Sequence, residues 1–63
     1  MSHMLQCEAR EWIKRHRKKA RELGANAAYL WWRGVSYDIA RIRGQSAFDA
    51  LRDEMNRQRK HEI

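Results

Sequence analysis

Two glycines divide this 63-residue chain, and their placement limits what it can fold into. Gly24 and Gly44 separate three segments that each repeat apolar residues at helical spacing, and proline is absent throughout. Proline is the residue that interrupts a helix from within, whereas glycine commonly ends one, because no Cβ opposes a positive φ. The pattern predicts an all-α fold with helices over 4–23, 26–43 and 46–60 and very short turns between them. Such turns favour antiparallel neighbours. The first two segments therefore form an antiparallel helical hairpin, and a shorter C-terminal helix packs across it or extends from it.

Advancing about 100° per residue places Leu5, Ala9, Trp12, Ile13, His16, Ala20 and Leu23 on one face of the first helix, the expected core face. In the second segment Ala28, Trp32, Val35, Ile39 and Ile42 follow heptad spacing, with Asn26 as the expected N-cap. The third carries a thin stripe of Phe48, Leu51 and Met55, with Ser46 as its cap and Asp49 answering three residues later. After Met55 little remains to bury, so the end is expected to fray or stay exposed, with 61–63 as a tail.

Met1, Ser2 and His3 look like a cloning scar, which leaves a single helical domain over 4–60. A chain of this size hides only about 60% of the surface its unfolded form exposes, so its own core is slight and self-association stays open. Composition still argues for folding. Of the residues, 43% are hydrophobic and three are tryptophan, too many for a disordered chain.

Charge gives the first functional signal. Net charge is +6, and it is segregated: residues 4–23 hold seven basic and three acidic groups, while residues 44–63 hold four of each. Arg10, Lys14, Arg17, Lys18 and Arg21 share the side of the first helix opposite Leu5, Trp12 and Leu23. A row of cations at this spacing can displace the counterions of several phosphates together, giving salt-sensitive, sequence-tolerant binding to nucleic acid. It suits an acidic protein surface equally, and it also serves solubility. Glu8, Glu11 and Glu22 gather on one flank, with Glu11 one turn before Arg15.

The second helix has a second unusual face. Leu30, Gly34, Tyr37 and Arg41 lie away from its heptad stripe. If that helix is the middle one, the first helix covers one face and the third the other. If the face is exposed, Leu30 and Tyr37 around Gly34 form an interface for a homodimer or another protein, with Gly34 allowing close approach. Tyr29, Trp31, Trp32 and Tyr37 beside Arg33 and Arg41 have the composition of a base-stacking surface. A helix scatters them around its circumference, however, and the tryptophans are expected in the core.

From Tyr37 onward, the run Tyr37-Asp38-Ile39-Ala40-Arg41-Ile42-Arg43-Gly44-Gln45-Ser46 resembles the helix-turn-helix of lactose-repressor-type DNA-binding proteins, over residues 37–55. The resemblance implies that Ala40 is the small residue where helices cross and Gly44 the turn glycine. It also implies that the helix after Ser46 enters the major groove, presenting Ala47, Arg52 and Asn56. The run departs from that pattern at Arg43 and Gln45, where apolar side chains are usual. Trp31-Trp32, Asp38-Ile39, Arg41-Ile42-Arg43-Gly44 and Met55-Asn56-Arg57 also resemble small uncharacterised helical phage and prophage proteins, implying a role such as inhibiting a host factor.

Enzymatic chemistry finds no foothold. There is no phosphate-binding glycine loop and no expected pocket depth, and Cys7 has no native base near it, since His3 belongs to the suspected scar. No metal or cofactor is expected, because two ligands do not complete a zinc site. His16 falls within the core face. With one cysteine, no secretory signal and no apolar run of about 18 residues, a cytoplasmic protein is expected, with a membrane partner disfavoured.

Overall fold

The computed structural model describes residues 3–61; residues 1 and 2 of the suspected scar and residues 62 and 63 of the expected tail lie outside them. Among the described residues the chain forms α1 (His3–Leu23), α2 (Ala25–Arg43) and α3 (Gln45–Lys60), with no strand. Each joint is a single glycine. The Gly24 N–H donates to Ala20 O at 3.0 Å and its carbonyl accepts from the Ala28 N–H at 3.0 Å, so one residue closes α1 and opens α2. Gly44 does the same with Ala40 (2.9 Å) and Phe48 (3.2 Å). Both adopt nearly the same conformation, φ 92°, ψ 163° and φ 97°, ψ 155°, a region almost closed to residues with a Cβ.

These one-residue turns correct the expected caps. The glycine itself takes the N-cap position, so Asn26 and Ser46 fall inside the first turns and no side chain caps either helix. Asp49, expected to answer Ser46, instead accepts from Gln45 Nε2 at 2.9 Å.

The hairpin is antiparallel. Near the open end, Arg43 of α2 grips Glu8 of α1 with two hydrogen bonds of 2.9 and 2.7 Å. Trp12 Nε1 donates to the same carboxylate at 3.2 Å, tying the ion pair to the aromatic core. The third helix crosses α1: Gln58 Nε2 reaches Gln6 O at 2.9 Å, while its neighbour Arg59 borders His16 and Arg17, ten residues further along. Helix continues through Lys60, past the end of the apolar stripe at Met55.

All three helices touch one another, enclosing Ala9, Ile13, Ile39, Phe48, Leu51 and Met55, with Leu5, Trp12, Trp32, Val35 and Ala40 packed around them. A closed triangle gives each helix one inner and one outer side. The middle-helix arrangement is thereby excluded, since α1 and α3 also pack directly on each other and the opposite side of α2 stays open. Two expected core residues are outside. Leu23 (59% exposed) lies at the hairpin tip, beyond the reach of α3, and Ile42 (72%) edges a shallow hollow with Trp12, Val35 and Ile39.

The three glycines should respond differently to alanine. Gly24→Ala or Gly44→Ala forces a side chain into a strained backbone and should lower stability by about 1–3 kcal/mol. Gly34 is an exposed mid-helix residue, and a Cβ there meets nothing within 4 Å. Gly34→Ala should therefore raise stability by roughly 0.5–1 kcal/mol. Urea unfolding of the three variants checks the sign at each position.

Candidate functional site

The structure sorts the cations of α1 into two groups. Arg15 and Lys19 are occupied. Arg15 lies 5.0 Å from the Trp12 ring centroid and pairs with Glu11 at 3.3 Å, and Lys19 lies 5.8 Å from Trp31. Cations at about this range are attracted to the negative face of an indole.

The other group is the predicted row, Arg10, Lys14, Arg17, Lys18 and Arg21, and all five side chains are exposed. Arg10, Lys14, Lys18 and Arg21 make no ion pair with an acidic group among the described residues. Geometry explains the difference. Positions 15 and 19 point toward α2 and its tryptophans, whereas the row points away from α2.

A cleft joins this row to the end of α3. Arg10, Lys14 and Arg17 line it from α1, and Arg57 and Gln58 of α3, with His61 just past its end, line the other side. A second, shallower concavity runs along Lys14, Arg17, Lys18 and Arg21 beside Glu11 and Arg15. Arg57 is held by Glu54, whose carboxylate accepts its Nε at 2.9 Å, and this bond and that from Gln58 hold the Glu54 carboxyl below its usual range. Periodicity missed the contribution of α3 because 57–61 has no apolar face. The basic last turn, Arg57, Arg59 and Lys60, was the available signal, since cations favour a helix C-terminus.

On the opposite flank the Glu8 carboxylate is committed to the fold. Hydrogen bonds from Arg43, and then from Trp12, hold the Glu8 carboxyl below its ordinary value despite partial burial. The pair is half exposed and so screened by solvent, which limits its contribution to about 1 kcal/mol.

The second candidate surface is also brought together. Leu30 (61% exposed) and Tyr37 (70%) stand one above the other on the outer side of α2, with Gly34 between them. Arg41 closes the patch and lies 3.7 Å from Asp38. Of the residues implied by the helix-turn-helix resemblance, Gly44 forms the one-residue joint and Ala40 is half-buried beside the core. Arg52 lies between Asp49 and Asp53 and over Phe48, and Ala47 and Asn56 are exposed.

Scans of family models, curated proteins and solved structures return no match to this chain. No helix among the described residues is long and apolar enough to cross a membrane, and no group of three or more acidic, histidine or cysteine side chains among them is placed to hold a metal ion.

His16 sits among Trp31 and Trp32, with ring centroids at 6.3 and 6.4 Å, and beside Arg17 and Arg59. Burial, and then the Arg59 charge, depress its pKa. The unfolded chain therefore binds the proton first. Stability should be level above about pH 6.5 and fall as the pH drops below it. Urea midpoints of the parent chain and His16→Gln, compared between pH 7.5 and 5, check this: the variant should show the smaller decline.

Proposed function

We propose that this chain is a small non-catalytic protein that binds nucleic acid through the basic face of α1. The observation that carries the reading is the exposed row itself. Four of its cations have no acidic partner among the described residues, while neighbouring Arg15 and Lys19 are spent on tryptophans. Solubility alone does not require like charges to be concentrated within one quadrant of one helix. Phosphate neutralisation does, because each released counterion adds to the driving force.

Binding of this kind should be strongly salt-dependent. Affinity for a generic duplex, measured by fluorescence anisotropy across a salt series, should fall with a log–log slope of about −0.9 per phosphate neutralised. Replacing Arg10, Lys14, Lys18 and Arg21 together with glutamine should flatten that slope by several units and weaken all sequences alike. Tight binding that ignores salt would remove the proposal.

A second reading rests on the outer side of α2, where two large apolar side chains are exposed around a glycine with open space above it. This surface suits a protein partner or a second copy. If it mediates self-association, light scattering should show a mass above that of the monomer, and Leu30→Asp or Tyr37→Asp should return it to one chain without loss of helix.

A further inference from the structure

We infer that the preferred nucleic acid is duplex DNA, held by phosphates on both walls of a groove, and that a single strand is a poor ligand. The inference rests on the preceding assignment of the basic row and names the form of nucleic acid the row fits.

Single-strand binding joins a cationic track to aromatic rings on which bases stack. Here the rings and the track are on different sides of the molecule. Trp12 lies 5.7 Å from Trp32 and 6.2 Å from Trp31, and Trp32 lies 6.3 Å from Phe48, so these rings stack chiefly on each other. Arg15 and Lys19 cover Trp12 and Trp31, Arg33 lies 5.9 Å from the ring of Tyr29, and Tyr37 is on the outer side of α2. A strand lying along Arg10, Lys14, Lys18 and Arg21 would find phosphate partners and no surface for its bases.

Shape points the same way. The row runs along one side of α1 within an arc of about 100°, given 3.6 residues per turn. Arg10 to Arg21 spans eleven steps of about 1.5 Å, roughly 16 Å. That exceeds the ~12 Å width of the DNA major groove, so cations at the two ends of the row reach phosphates of opposite strands. The cleft formed with Arg57 and His61 adds further donors beside Arg10.

The test compares a labelled 20-base duplex with each of its separated strands at low salt, using the whole chain and the glutamine variant at 10, 14, 18 and 21. The duplex should bind at least about tenfold tighter than either strand, and its salt slope should be steeper, near −0.9 against −0.7 per phosphate. The variant should lose duplex affinity at unchanged far-UV circular dichroism. Equal or tighter binding of a single strand overturns the inference while leaving the nucleic-acid assignment standing. Absence of binding to any of the three overturns both.

Discussion

A helix can reverse direction across one residue only if that residue reaches a backbone conformation that side chains forbid. Gly24 and Gly44 both do so, with φ near +95°. Each donates to the last turn of one helix and accepts from the first turn of the next, so the N–H and the carbonyl of the joint glycine are both satisfied. The rest of the architecture follows from this constraint. With no slack at either corner, α2 folds straight back along α1, and α3 departs close to where α2 ends.

That tight closure decides which charges are available. Packing α2 against α1 sets Trp31 beside Lys19 and brings Arg43 onto Glu8. Crossing α3 over α1 places Arg57 and His61 across a cleft from Arg10 and Lys14. Attraction at a tryptophan face or a carboxylate removes some cations from contention, and those left over lie on the side of α1 turned away from α2, exposed beside the end of α3. The candidate surface is therefore a remainder, defined by what the fold does not use.

The same economy explains the exposed apolar groups. Three short helices of a 63-residue chain share one small core, in which the most deeply buried large side chains among the described residues are Leu51, Ile13 and Met55. Once each helix has committed its inner side, nothing among the described residues covers Leu30 and Tyr37. A larger domain would place another element there; this one presents them to solvent.

Helix number, approximate bounds and the basic row were legible in the sequence, because each depends on local periodicity: 3.6 residues per turn places Arg10, Lys14, Arg17, Lys18 and Arg21 together whatever the helix packs against. Glycine in place of a side chain likewise marked both corners. Tertiary structure alone decided the quantities that depend on distance between helices. Asn26 and Ser46 lost their capping roles to the glycine beside them, and Leu23 and Ile42 fell outside the packed zone although their spacing matched the core. The outer side of α2 was left open because three mutually packed helices enclose one line, and a helix on that line has only one side to bury.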